Sequence, residues 1–321
     1  MDAILALDIG GTKLSAAMMS RDGTTLAKQR GLSLASAGPD AMIARLLDLA
    51  RLAQRASGAP IARAGISVGG PLDPVAGVVL TPPNLPGWDR IPLRKLVAEG
   101  LGLRENLVDI ENDANACVLA ERRFGAARGR SHAIFLTMST GIGGGLILDG
   151  RLYRGASFNA GEVGHQVVLP GGPVCGCGNH GCLEAVASGS GIASRLRAQF
   201  DNLPAGMQES AGSAEKISAE HLFAAARAGD SFARSFLDET LALLARGIAN
   251  LVFILNPQVV ILGTLAVHGG DLILDPLRQH VNRLCWPILT RDLQIVASPL
   301  GPRVEDLSPL AVALEAESPI G

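Results

Sequence analysis

A glycine-rich bend between two short apolar runs occurs twice in this chain, and it limits the fold more than any other feature. Ala3 to Leu7 leads into Asp8-Ile9-Gly10-Gly11-Thr12-Lys13, Leu14 to Met19 is apolar again, and Ser20-Arg21-Asp22-Gly23 supplies turn chemistry. Ser131 to Thr137 leads likewise into Ser139-Thr140-Gly141-Ile142-Gly143-Gly144-Gly145. Leu146 to Leu148 then begins a returning strand, and Asp149-Gly150 turns it. Short apolar runs bounded by glycine and Asp-Gly punctuation read as hairpins. Two hairpins at corresponding places predict two structurally related halves.

The segments between them alternate helix and strand. From Pro39 to Ala56, apolar residues at Met42, Ile43, Leu46, Leu47, Leu49, Ala50 and Ala53 keep a helical period, with Arg45, Asp48 and Arg51 on the opposite face. This helix crosses to a strand over Ala64 to Val68 that ends at Gly69-Gly70-Pro71. A further strand, Asn106 to Ile110, ends at Glu111-Asn112-Asp113 before a helical run from Ala114 to Arg123. Helices are predicted over Ala219 to Arg227, Ser231 to Leu255 and Asp275 to Leu284. A strand is predicted over Val259 to Leu262 before Gly263, and an exposed loop over Pro204 to Lys216. This alternation places the chain in the α/β class. A length of 321 residues, nearly half of them apolar, is enough for two cores and therefore two lobes.

Net charge is −2 with basic and acidic residues interspersed, so the footprint of a nucleic-acid or membrane-surface binder is missing. The first residues carry Asp2 and Asp8 where a signal peptide needs cations and a long apolar core, and no 18-residue apolar stretch follows. A cytoplasmic location is the expectation. In a reducing compartment, three cysteines within eight residues (Cys175, Cys177 and Cys182) indicate a metal rather than disulfides. Cys117 and Cys285 read as core thiols.

Polar residues gathered just past strand ends are where open α/β sheets bind ligands. The first bend offers unobstructed backbone N–H groups, the Thr12 hydroxyl and an acid. This suits the terminal phosphates of a nucleotide, with magnesium held through Asp8. The same glycines would equally serve a tight hairpin and nothing more. Two such bends, the second spanning Thr140 to Gly145, could clamp one polyphosphate. At the strand-to-helix junction, Asp113 could accept the proton of an attacking hydroxyl while Asn112 meets sugar hydroxyls; Asp and Asn are also favoured there simply as helix caps. Cys175, Cys177 and Cys182 need a fourth ligand to close a tetrahedral structural zinc site. His165 is preferred to His180, which lies inside the knuckle. Zinc there would hold Glu162, His165 and Glu184 at fixed separations around a polyhydroxylated ligand.

Together these residues resemble the ROK family of repressors, open reading frames and sugar kinases, within the actin/hexokinase-like ATPase superfamily. The resemblance runs from Asp8 to about Gly263. Its motifs include Gly69-Gly70-Pro71, Pro83-Asn84-Leu85-Pro86-Gly87-Trp88, Glu111-Asn112-Asp113-Ala114-Asn115, Gly161-Glu162-Val163-Gly164-His165 and Cys175 to Glu184, as well as both bends. It implies a two-lobed, ribonuclease H-like ATPase fold with duplicated βββαβα-type halves and an interlobe cleft. The small lobe would be 1–113 with about 300–321. The larger lobe, 114–299, would carry the zinc knuckle at about 165–184.

The resemblance further implies ATP-dependent phosphorylation of a hexose at its 6-hydroxyl, with glucose favoured and N-acetylmannosamine or N-acetylglucosamine as the alternative. Asp113 would be the general base. Gly70, Asn84, Asn112, Glu162, His165 and Glu184 would contact the sugar. Asp8, Gly10, Gly11, Thr12, Lys13, Thr140, Gly141, Gly143 and Gly263 would bind ATP, with Asp8 also near Mg2+. His165, Cys175, Cys177 and Cys182 would bind structural Zn2+, and the protein would be a homodimer. Ser139 and Thr264 stand where glycines are frequent in the family. Repressors of the family carry a helix-turn-helix ahead of the first bend, whereas Asp8 lies near the start of this sequence. A catalytically silent sugar-binding protein would be expected to lose the base or the bends, which are present here.

Overall fold

The computed structural model describes residues 3–317. Two five-stranded sheets follow one plan, a β-meander joined to two parallel strands. Their orders are β3-β2-β1-β4-β7 and β10-β9-β8-β11-β12. The chain divides into two compact units, the first comprising residues 1–131, 145–160 and 300–321, and the second 132–144 and 161–299.

In the first unit, β1 (Ala3–Ile9) runs antiparallel to β2 (Lys13–Met19), and β2 antiparallel to β3 (Thr25–Leu32). β1 also pairs in parallel with β4 (Ile61–Val68), setting Asp8 opposite Ser67 and Ile9 opposite Val68. Between them lies α1 (Gly38–Ser57), whose buried face consists of Met42, Ile43, Leu46, Ala50 and Ala53, the apolar stripe the sequence predicts. A small hairpin, β5 (Leu72–Asp73) with β6 (Val78–Val79), precedes α2 (Leu93–Leu101). β7 (Val108–Asn112) then pairs in parallel with β4, with Val68 opposite Asn112. The expected strand beginning at Asn106 starts two residues later because Glu105–Leu107 forms a 3₁₀ turn. Leu5, Leu7, Leu14, Met18, Leu46 and Ile66 are fully buried between the sheet and α1.

α3 (Asp113–Phe124) follows β7 directly. The sequence reading assigned this segment to the larger lobe, yet it packs within the first unit, against the closing helix α12 (Val304–Glu317). Gly145 lies so close to Ala114 that a Cβ there would sit 2.2 Å from its carbonyl oxygen.

In the second unit, β8 (Ala133–Leu136), β11 (Val259–Leu262) and β12 (Gln294–Ala297) are parallel, with Leu136 opposite Leu262. The hairpin of β9 (Gly144–Leu148) and β10 (Arg151–Leu152) falls, apart from Gly144, in the first compact unit. Helices α4 (Leu183–Ala187) and α5 (Gly189–Arg197) follow the cysteine segment. Residues 204–216, expected as an open loop, instead form α6 (Ala205–Ala211) and a 3₁₀ turn at Ala214–Lys216, because Met207 and Ala211 are buried one helical turn apart. α7 (Ala219–Arg227) and the long α8 (Ser231–Leu255) have the predicted bounds. After β11 come α9 (Thr264–Gly269), α10 (Asp271–Leu284) and α11 (Pro287–Thr290). α10 begins four residues before the expected Asp275. Pro276 therefore lies inside the helix, where its missing N–H removes one backbone hydrogen bond. No helix among the described residues is long and apolar enough to cross a membrane.

Candidate active site

In the first unit, the candidate residues collect at the carboxyl ends of β1, β4 and β7. The bend after β1 closes by a hydrogen bond from Gly10 N to Lys13 O at 3.0 Å, and the Ser33 hydroxyl donates to Gly11 O at 2.6 Å. Gly11 abuts the loop that carries Asn84, since a Cβ on it would lie 2.9 Å from Asn84 O. That loop is anchored by buried Leu85 and Trp88, and it leaves Asn84 exposed. Gly70, in a cis Gly70–Pro71 peptide, is packed equally closely against Asn112, whose Nδ2 would lie 2.9 Å from an added Cβ. The backbone thus brings Gly11 to Asn84 and Gly70 to Asn112.

Asp8 sits on β1 with a partly buried side chain, and desolvation there pushes its carboxyl up to about 7. Ser67 opposes the shift by hydrogen bonding, while the negative charges of Glu305, Asp113 and Asp306 add to it. A desolvated carboxylate among other acids is electrostatically suited to a cation.

At the β7–α3 junction, the cap and the candidate base are separate residues. Asn112 Oδ1 accepts the N–H of Ala114 at 2.9 Å and of Asn115 at 3.3 Å, so Asn112 is the N-cap. Asp113, the first helical residue, is exposed, and its Oδ1 lies 2.8 Å from Ala114 N.

In the second unit, the bend from Ser139 to Gly144 is fixed by local hydrogen bonds. Thr137 N donates to Gly143 O at 3.0 Å, Gly143 N to Thr137 Oγ1 at 2.9 Å and Ser139 N to Gly141 O at 2.9 Å. Thr140 O accepts from the Ser190 hydroxyl at 2.6 Å. Gly263 N donates to Leu136 O at 2.8 Å, and a Cβ on Gly263 would sit 2.1 Å from Thr137 O. Glycine is therefore required at 263 by packing alone. Thr264 opens α9, is exposed, and donates its N–H to Thr137 O at 3.1 Å. Glu184, on α4, accepts the Ile142 N–H at 2.9 Å, a contact no sequence pattern signals because the two residues belong to separate motifs.

The knuckle gathers His165, Cys175, Cys177 and Cys182, one ligand atom from each lying within 4.8 Å of all the others. Cys177 Sγ is 3.7 Å from Cys182 Sγ, and Cys175 Sγ is 3.5 Å from His165 Nδ1. Tetrahedral zinc with ordinary bond lengths requires sulfur–sulfur separations of about 3.8 Å and sulfur–nitrogen separations of about 3.5 Å. The set fits that ion. His180 instead points Nδ1 at Gly172 O, 3.3 Å away. Burial raises the Cys175 thiol and pushes Cys182 up to about 12, while the backbone N–H of Asn179 draws Cys177 down to about 7. The knuckle rests on α8, where Arg246 reaches Val168 O and Asn250 reaches Gln166 Oε1. Glu162 is exposed, with Oε2 3.7 Å from His165 Nε2.

The sequence model of the ROK family matches residues 4–301. This chain belongs to the ROK family. It is 39% identical over 319 residues to a glucokinase of Thermotoga maritima, covering 99% of this chain and 98% of the relative. It is 37% identical over 291 residues to an N-acetylmannosamine kinase of Shigella boydii, covering 87% of this chain and 91% of the relative. A solved ROK-family glucokinase from Streptomyces griseus, in complex with glucose and AMPPNP, superposes with a TM-score of 0.82 at 31% identity, covering 97% of this chain and 98% of that one. The ROK actin/hexokinase-like fold expected from the sequence is therefore the fold of this protein.

Proposed function

We propose that this protein is an ATP-dependent kinase that phosphorylates glucose at its 6-hydroxyl. The observation that carries this reading is the 39% identity, over nearly the whole of both chains, to the Thermotoga maritima glucokinase. A second reading, an N-acetylhexosamine kinase, is favoured by the Shigella boydii relative.

In the reaction, Asp113 accepts the proton of the 6-hydroxyl as that oxygen attacks the γ-phosphorus. The new oxygen–phosphorus bond forms, the bond to the β,γ-bridging oxygen breaks, and ADP leaves. Asp113 is exposed, and the cap on α3 is supplied by Asn112. Gly70, Asn84, Asn112, Glu162, His165 and Glu184 are the residues assigned to orient the sugar by hydrogen bonds. The bends that carry Gly10, Gly11, Thr12 and Lys13, and Thr140, Gly141 and Gly143, bind ATP together with the packing surface at Gly263, the N–H groups of Gly10 and Gly143 holding the bends closed. Magnesium that enters with ATP supplies charge neutralisation at the phosphates, and Asp8 is the residue that holds it.

His165, Cys175, Cys177 and Cys182 hold a structural Zn2+, supported by their separations. The protein acts in the cytoplasm as a homodimer. The dimer reading is supported by an exposed apolar group on the second unit comprising Phe253, Ile254, Leu284, Trp286 and Ile288, with the Phe253 and Trp286 rings edge to face at 5.7 Å.

The test is ADP release with MgATP against glucose, N-acetylmannosamine, N-acetylglucosamine, mannose, fructose and allose, with a sugar-free blank. Strongest turnover with glucose supports the first reading, and strongest turnover with an N-acetylhexosamine supports the second.

A further inference from the structure

Behind the β7–α3 junction, the first unit contains a charged contact that the reading above does not use. Glu111 is 2% exposed, and every polar neighbour recorded for its carboxylate is a donor. Oε1 accepts the backbone N–H of Asn112 at 2.9 Å and the side-chain Nδ2 of Asn115 at 3.1 Å. Oε2 accepts Arg154 Nε at 2.7 Å. Glu111 belongs to β7, Asn112 is the N-cap of α3, and Asn115 lies in the first turn of that helix with only 1% exposure. One carboxylate therefore ties the last residues of the strand to the first turn of the helix, across the point from which Asp113 projects.

Arg154 reaches this carboxylate from the segment after β10, with 35% of its side chain exposed. The pair faces a cavity of about 760 Å³ within the first unit, lined also by Arg94, Asp109 and Leu119. Arg151 also lines the cavity but, among the described residues, makes no bond to Glu111, and three further charged groups there have partners of their own. Arg94 donates to the carbonyls of Val108, Val75 and Pro74, Asp109 pairs with Arg63, and Glu315 pairs with Arg122. Arg154 is thus the cation matched to Glu111. A buried carboxylate stripped of such a partner is strongly disfavoured, so losing the arginine would undo the strand-to-helix tie along with the ion pair.

We propose that Glu111 and Arg154 are a positioning pair that fixes the Asn112–Asp113 turn for phosphoryl transfer. Neither touches the reacting atoms; both act through the orientation of Asp113, so the proposal rests on the general-base reading given above. Misplacing a catalytic group by about 1 Å can cost about 100-fold in rate, whereas ground-state binding by groups elsewhere is untouched.

The experiment compares Glu111→Gln, Arg154→Met, Arg154→Lys, the Glu111→Gln/Arg154→Met double variant and Asp113→Asn, each as full-length protein checked by a thermal melt. Glu111→Gln and Arg154→Met are each expected to lower kcat about 10- to 100-fold. KM for ATP should stay within about threefold of the unaltered protein, while KM for glucose rises less than kcat falls, because Asn112 of the same turn also contacts the sugar. Arg154→Lys should recover part of the loss, and the double variant should be no slower than the slower single one, as expected for two residues acting as one unit. Unchanged kcat in both single variants, with Asp113→Asn inactive, overturns the pair while leaving the base intact. If Asp113→Asn turns over at near the original rate, the base reading falls and the proposal falls with it. A loss spread equally over kcat, both KM values and melting temperature shows a merely structural role. Should Glu111→Gln fail to fold, half-exposed Arg154 carries the same test through its Met and Lys variants.

Discussion

Glu184 Oε2 accepts the backbone N–H of Ile142 at 2.9 Å, and the same oxygen lies 2.3 Å from where a Cβ on Gly141 would stand. A glutamate proposed to bind sugar thus also fastens the bend proposed to bind phosphate. Glu184→Ala should therefore raise KM for ATP as well as for glucose, each by about 10-fold or more, the scale of a lost hydrogen bond to a charged group. Glu162→Ala should raise KM for glucose alone, because exposed Glu162 has no recorded contact with the bend. Steady-state kinetics with each substrate varied in turn checks this. An ATP KM unchanged in Glu184→Ala would show that the contact does not couple the two motifs.

The knuckle geometry gives His165 and His180 different partners. His165→Ala and Cys177→Ser should lose the metal and melt at lower temperature, whereas His180→Ala should keep a full equivalent, because His180 faces Gly172 O. Elemental analysis of the purified variants measures this. Full zinc in Cys177→Ser, or none in His180→Ala, would refute the assigned ligand set.

Burial pushes Asp8 up to about 7, well above an unfolded aspartate at about 3.9. Because the folded state prefers the protonated acid, this group's contribution to stability is fully present below about pH 4 and is lost as pH rises through about 7. Nucleotide-free protein should accordingly lose melting temperature over that window. Asp8→Asn should flatten this component of the slope, melt higher than the parent at pH 8, and lose activity. Differential scanning calorimetry across pH, in the absence of magnesium, gives the answer. A parent and variant with parallel pH profiles would rule out the desolvated-acid account.

Trp286 and Ile288 stand exposed beside Phe253 and Ile254. Trp286→Asp should shift the mass measured by light scattering from dimer to monomer, since a charge desolvated in an apolar interface is costly. A dimer of unchanged mass and affinity would place the interface elsewhere.

The parts of the fold that could be read from the sequence were those with local signals. The first hairpin, α1, α7 and α8 announce themselves through apolar period and Gly-Asp punctuation, and their observed bounds lie within a few residues of expectation. α6 was hidden because Pro204, Gly206 and Ser210 dilute its pattern, and only Met207 and Ala211 supply its buried face. Cys175, Cys177 and Cys182 could be grouped from spacing alone, and the preference for His165 over His180 gains a geometric ground only from the direction of each ring. Contacts such as Glu111 with Arg154, or Ile142 with Glu184, join residues about 40 apart through tertiary packing, and no periodicity records them.

The most direct test of the central claim is a ³¹P NMR time course of the purified protein with MgATP and glucose. The account predicts loss of the γ-phosphate signal matched one for one by a hexose 6-phosphate resonance and by ADP. Release of inorganic phosphate with no sugar phosphate, or an unchanged ATP spectrum with glucose and with each N-acetylhexosamine, would contradict it.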